Sequence, residues 1–225
     1  MKLNMREHGT PGCLITFCGL DGCGKTTIIR MLESYLSERG LQTVLTKQPT
    51  NSVRQSEIFR TYMDKPNHDM FDYRSLSLLA ASDRVQHSNK YILPMLKEGR
   101  TVISDRYFYS CLANLRARGY KEDKWIYEIA ECIPKPDLAF FFDIDVETAV
   151  ERVRQRPDEK LRYIDMALQY SLKKEYVDIA EENGGIIINT SGSVNATFER
   201  VKLQVEKYIA GNPSFKGDYI YASAL

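Results

Sequence analysis

The chain of 225 residues carries 31 Lys and Arg against 30 Asp and Glu, a formal charge of +1, so no overall field exists to recruit nucleic acid or an anionic membrane. Its five cysteines, Cys13, Cys18, Cys23, Cys111 and Cys132, show neither CxxC spacing nor a histidine pattern, which argues against a disulfide framework or zinc site and for a reducing cytoplasm. The first dozen residues lack an apolar signal core and no run approaches the length of a membrane span, so a soluble, unprocessed chain is expected. Its size suits one α/β domain over 1–225 that buries roughly 70% of its unfolded surface.

The first predicted element is a buried-type strand, Cys13-Leu14-Ile15-Thr16-Phe17-Cys18. It runs into Gly19-Leu20-Asp21-Gly22-Cys23-Gly24-Lys25-Thr26-Thr27, which satisfies every fixed position of a Walker A loop. From Thr27 to Glu38, apolar Ile28, Met31, Leu32, Tyr35 and Leu36 recur at helical spacing, completing the strand, glycine loop and helix that the motif requires. Onward, a strand is expected over 43–46, a short helix over 50–64, and a long helix over 72–98, interrupted by Pro94 and stopped by Gly99. A strand over 101–104, helices over 107–118 and 122–132, and a strand over 138–144 follow. Helices over 146–155 and 165–182, a strand over 185–188 and a helix over 194–209 complete the series. The tail, about 211–225, has no clear period and reads as an arm or a disordered end. Strands separated by helices imply right-handed crossovers and a three-layer α/β P-loop fold, with a five-stranded parallel sheet covered on both faces.

The loop carries the first chemical statement. Glycines permit positive φ and close backbone approach, so the N–H groups of Gly19, Gly22, Cys23, Gly24, Lys25, Thr26 and Thr27 can face the phosphates of ATP above a helix N-terminus. Lys25 reaches the β- and γ-phosphates, and the Thr26 hydroxyl can ligate Mg²⁺. A guanine-specific GTPase would show Asn-Lys-x-Asp after a late strand, whereas Asn89-Lys90 is followed by Tyr91-Ile92 inside a predicted helix. A motor ATPase would carry Glu beside the acid that ends its Walker B strand, whereas Asp105 is followed by Arg106. Asp105 can hold the metal, and a fixed guanidinium beside it suits a second phosphorylated molecule.

With these residues in place, the chain resembles the thymidylate kinase family over almost its whole length. The likeness rests on Gly19 to Thr27, Thr46-Lys47-Gln48-Pro49, Arg84-Val85-Gln86 and Asp105-Arg106-Tyr107 with Ser110 and Ala113. It continues through Pro136-Asp137-Leu138 leading to Asp143, and the basic stretch from Arg152 to Arg162. The resemblance implies Mg-dependent transfer of the ATP γ-phosphate to a nucleoside monophosphate, dTMP to dTDP first of all, in a homodimer. Asp21 would then contact the acceptor's sugar 3′-hydroxyl, Lys47 and Arg106 its phosphate, and Arg84 its base edge. Ala80, Tyr107, Ser110 and Asn114 would complete the acceptor pocket. Residues 152–164 would form a lid whose Arg152 meets the donor. Family members without a basic residue beside the P-loop acid place a catalytic arginine in the lid; Gly22 stands at that position, leaving Arg156 and Arg162 as candidates.

The departures fall in the pocket for the acceptor's base. Ala80 stands where the family often has a stacking phenylalanine, and Asn114-Leu115 where it often has Tyr-Gln. Losing an aromatic platform removes about 0.5–1.5 kcal/mol of stacking. A kinase of another nucleoside monophosphate, or of a specialised phosphorylated metabolite, is therefore the alternative on the same scaffold. An ATP-binding regulatory P-loop protein is the alternative from another class.

Overall fold

The apolar run that opens at Cys13 forms strand β1 (Cys13–Gly19), and every one of its residues is buried. The computed structural model describes residues 1–212, so the tail beyond them lies outside the described residues. Strand β1 pairs in parallel with β3 (Thr101–Asp105) on one side and β4 (Leu138–Asp143) on the other. The edges are β2 (Thr43–Lys47) and β5 (Ile186–Asn189), giving a five-stranded parallel sheet in the order β2-β3-β1-β4-β5. Its central strands are buried along nearly their whole length because helices cover both faces; Phe17 stacks on Phe140 with centroids 5.1 Å apart and meets Phe142 edge-on at 5.5 Å. In register, Asp105 lies beside both Phe17 and Lys47, so the ends of β1, β2 and β3 share one rim of the sheet.

Helix α1 (Lys25–Ser37) follows the glycine loop and buries Ile28, Ile29, Leu32, Tyr35 and Leu36. The helix expected over 50–64 is instead two, α2 (Asn51–Arg54) and α3 (Glu57–Asp64). Ser56 interrupts it as an N-cap whose hydroxyl accepts from Phe59 N at 3.3 Å. The long helix is α4 (Tyr73–His87), a π-helical turn over Ser88–Ile92, and α5 (Leu93–Lys97). The widened turn lies just before Pro94, whose ring would clash with the carbonyl four residues earlier in a regular α-helix.

Helices α6 (Phe108–Ala117) and α7 (Trp125–Ala130) follow. The second is shorter than expected because Asp123 is drawn into a turn, accepting from Arg74 Nε at 2.7 Å and Trp125 Nε1 at 3.0 Å. Helix α8 (Val146–Arg154) stops short of Arg156, whose extended backbone is the conformation favoured before Pro157. Helix α9 (Met166–Asn183) starts on the carboxylate of Asp165 and ends on Gly184 at φ 68, and α10 (Val194–Gly211) closes the described chain. Ahead of β1, the polar leader is also built in: Leu3 and Met5 are buried and Arg6 bridges to Pro134.

Candidate active site

Two glycines shape the P-loop, for different reasons. Gly24, at φ 94, has no atom of the described residues other than its chain neighbours within 4 Å of where a Cβ would stand, so its requirement is backbone conformation alone. Gly22, at φ 84, would put a Cβ 2.0 Å from the main-chain oxygen of Ala149 in α8, so a side chain here is excluded by contact as well. The loop is thus packed directly on the helix that leads to Arg156. Lys25 is buried; its Nζ donates to Gly19 O at 3.1 Å, Leu20 O at 2.7 Å and Cys23 Sγ at 3.4 Å.

At the end of β3, Arg106 has φ 69, a left-handed conformation that costs a non-glycine residue about 1–2 kcal/mol. Its main chain is fixed on both sides: Arg106 N donates to Phe17 O at 2.8 Å and Ser104 Oγ donates to Arg106 O at 2.7 Å. This turn sends the guanidinium back over the P-loop. There it donates to Gly19 O at 3.2 Å, Tyr176 Oη at 3.1 Å and the carboxylate of Asp21. Asp21 also accepts from Arg162 Nη2 at 3.2 Å, while Arg162 Nη1 donates to Glu159 at 2.7 Å. Burial on its own would raise the pKa of Asp21, but Arg106, Lys25 and Arg162 outweigh it and hold the carboxyl well below the usual range.

Asp105 is governed similarly. Burial opposes ionisation, and Lys25, Arg106 and Lys47 overcome it, lowering the pKa. Its Oδ2 lies 2.9 Å from Lys47 Nζ, whereas Oδ1 is buried without a hydrogen-bond partner among the described residues.

These groups open onto one cleft of ≈ 410 Å³, a size suited to a small-molecule ligand. Its walls include Asp21, Gly22, Cys23, Gly24, Lys25, Thr26 and Thr27 from the loop and Lys47, Asp105 and Arg106 from the strand ends. Arg152 and Arg156 stand in the same lining. Thr190, Gly192, Val194 and Thr197 also line it, from the connection between β5 and α10 and the start of that helix. They are absent from the residues singled out in the sequence, although a polar Thr-Ser-Gly-Ser run after a last parallel strand must emerge on the P-loop's rim. Tyr176, which holds Arg106 from α9, left no signal in the sequence.

The remaining expected acceptor residues lie between α4 and α6, away from this lining. Arg84 is buried, its guanidinium donating to Ala80 O at 2.9 Å and Tyr107 O at 3.4 Å. Tyr107 is wholly buried and donates its hydroxyl to Pro134 O at 2.6 Å. Ser110 Oγ points to Cys18 Sγ at 3.7 Å. Asn114 uses its amide within α6, donating to Ser110 O at 2.9 Å and accepting from Arg118 at 2.9 Å. Ala80 is buried, and Arg118 stacks over Tyr73, 4.0 Å from the ring centroid.

A P-loop facing a cleft whose far strand ends supply a second set of cations, Lys47 and Arg106, belongs to a phosphotransferase of the nucleoside monophosphate kinase class. Comparison with known sequences narrows the class. Residues 17–201 match the family model for thymidylate kinase. A probable thymidylate kinase of Pyrococcus abyssi is 32% identical over 206 residues, covering 89% of this chain and 98% of the relative. The thymidylate kinase of a Geobacillus species is 34% identical over 208 residues, covering 89% and 99%. A probable thymidylate kinase of Pyrococcus horikoshii is 37% identical over 174 residues, covering 76% and 83%. The chain belongs to the thymidylate kinase family.

Proposed function

We propose that this enzyme transfers the γ-phosphate of ATP to dTMP, giving ADP and dTDP, with Asp21, Lys25, Lys47, Asp105, Arg106 and a lid arginine as its working groups. The observation that carries the assignment is their convergence, with the P-loop amides, on a single cleft faced by Arg152 and Arg156. A phosphate oxygen of dTMP forms the new bond to the γ-phosphorus, and the bond to the β–γ bridging oxygen breaks. Catalysis of this step is mostly positioning and charge stabilisation.

Within this reading the loop amides and Lys25 take the triphosphate, and the donor nucleoside extends toward Thr190, Gly192 and Val194. Lys47 and Arg106 align the acceptor phosphate, and Asp21 receives the sugar hydroxyl. Arg156 neutralises charge that spreads over the equatorial oxygens. Asp105 and the Thr26 hydroxyl would hold Mg²⁺, for which Asp105 Oδ1, without a hydrogen-bond partner among the described residues, is a fitting ligand. The bound ion would supply charge neutralisation at the β- and γ-oxygens. Arg84, with Ala80, Tyr107, Ser110 and Asn114, belongs to the base end of the acceptor site. Its buried charge, satisfied only by carbonyls among the described residues, supports that placement. A homodimer in the cytoplasm completes the proposal; all five cysteines are free thiols, which suits a reducing compartment, and no described helix is long and apolar enough to cross a membrane.

The test is ADP release with a panel of nucleoside monophosphates, with the product identified by chromatography. dTMP is expected to give the highest kcat/KM and to yield dTDP. Preference for another acceptor would move the assignment within the class, and ATP binding without any acceptor-dependent ADP would overturn it.

A further inference from the structure

Lys47 owes its place to a helix that contributes nothing to the cleft lining. We propose that His87 is the positioning residue of the acceptor-phosphate site, bridging the two residues that flank Lys47 and so fixing the direction in which its side chain leaves the strand. The proposal rests on the role assigned to Lys47 above. Alternation along the strand sends Thr46 and Gln48 to one face and Lys47 to the other. On the first face, His87 Nε2 lies 2.9 Å from Thr46 Oγ1 and Nδ1 lies 3.1 Å from Gln48 Nε2. On the second, Lys47 Nζ lies 2.9 Å from Asp105 Oδ2.

The bridge has a defined polarity. Gln48 donates from Nε2 to Nδ1 and also to Ser88 Oγ at 3.3 Å, so Nδ1 accepts and the Nε2–H of a neutral imidazole donates to Thr46. Gln48 is wholly buried, and its Oε1 has no hydrogen-bond partner among the described residues. Leaving a buried carbonyl unpaired is unfavourable, and the arrangement that incurs it is the one that offers the amide N–H to His87.

Further contacts hold the bridge to α4. One helical turn before His87, Asp83 Oδ2 accepts from Thr50 N at 2.8 Å, anchoring the far end of the Thr46–Thr50 segment to the same helix. The imidazole stacks on Tyr91, with centroids 5.2 Å apart. Asp83, Arg84 and Tyr91 are the titratable or charged groups around it. Burial lowers its pKa, with Asp83 opposing and Arg84 adding, which keeps the ring in the neutral form that the bridge requires. Since β2 is an edge strand whose one partner among the described residues is β3, these side-chain ties supply the lateral support that a second neighbouring strand would give.

A double-mutant cycle on the full chain tests the role. The measured quantities are kcat and the KM values for dTMP and ATP in Lys47→Ala, His87→Ala and the double variant. Lys47→Ala is expected to raise the dTMP KM by roughly tenfold or more, the loss of a charged contact. His87→Ala should raise it about three- to tenfold with the ATP KM unchanged, and the double variant should be no worse than Lys47→Ala alone. His87→Gln, which keeps one donor and one acceptor, should recover most of the loss. Losses that multiply in the double variant overturn the positioning role. A wild-type dTMP KM in Lys47→Ala instead overturns the role of Lys47, which is a separate failure. If His87→Ala does not fold, Thr46→Val removes only the hydroxyl partner and takes its place in the cycle, where non-multiplying losses support the role and multiplying losses overturn it.

Discussion

Gly22→Ala sets a methyl group against the backbone of α8. The added Cβ would stand 2.0 Å from Ala149 O, 2.8 Å from its carbonyl carbon and 3.1 Å from its Cα. The left-handed backbone costs an alanine about 1–2 kcal/mol. Overpacking adds roughly 1–3 kcal/mol, because the obstructing atoms are main chain and cannot rotate aside. The sum, about 2–5 kcal/mol, lowers Tm by roughly 4–20 °C in a protein of this size. Gly24→Ala is the matched control: its φ of 94 is equally left-handed, but no atom of the described residues beyond its chain neighbours lies within 4 Å of the new methyl, so only the conformational cost applies. Thermal and urea denaturation of the two variants should separate them by the overpacking contribution, and Ala149→Gly should not rescue Gly22→Ala, since the carbonyl remains. Turnover should fall in both variants, since both glycines belong to the phosphate loop, so the denaturation midpoints carry the comparison. Equal destabilisation of the two variants would refute the reasoning.

Asp21 and Asp105 both have folded-state pKa values below the unfolded value of about 3.9. Their stabilising contribution is therefore complete above that value and is lost as pH falls through the folded pKa. Denaturation midpoints should hold steady from pH 7 to about 5 and fall below about 4. The fall should be shallower in Asp105→Asn, and an identical profile in that variant would remove Asp105 from the account. The two lid arginines should separate kinetically. Arg156→Gln, whose side chain lines the cleft, is expected to lower kcat about 10²-fold with little change in the dTMP KM. Arg162→Gln, whose side chain holds Asp21, should act mainly on the dTMP KM. Steady-state kinetics would reassign the two if the pattern is reversed.

Local patterns carried the sheet. Each strand was readable because it is a short apolar run between helix signals, and its parallel order follows from the crossovers. What escaped depends on partners distant in sequence. Nothing in Asp105-Arg106-Tyr107 announces that the arginine takes a left-handed backbone, since Phe17 and Ser104 hold it there. The sequence reports that Gly22 lacks a side chain; only the packing shows that Ala149 forbids one. Ser56 was a legible capping signal inside the segment read as one helix, whereas the π-helical turn before Pro94 has no compositional mark. Side-chain direction was the least accessible quantity: the carbonyl partners of Arg84, and the Pro134 oxygen that accepts from Tyr107, have no mark in the sequence.

The main-chain contact between Gly22 and Ala149 makes the P-loop a fulcrum. From Ala149 to Arg154 the helix rises about 7.5 Å, so a tilt of about 15° about that point swings its far end by about 2 Å. Arg156, beyond that end, travels further, and a displacement of this size separates a formed ion pair from a broken one. A phosphate that displaced the loop would therefore move the arginines by leverage, with the short helix as the arm.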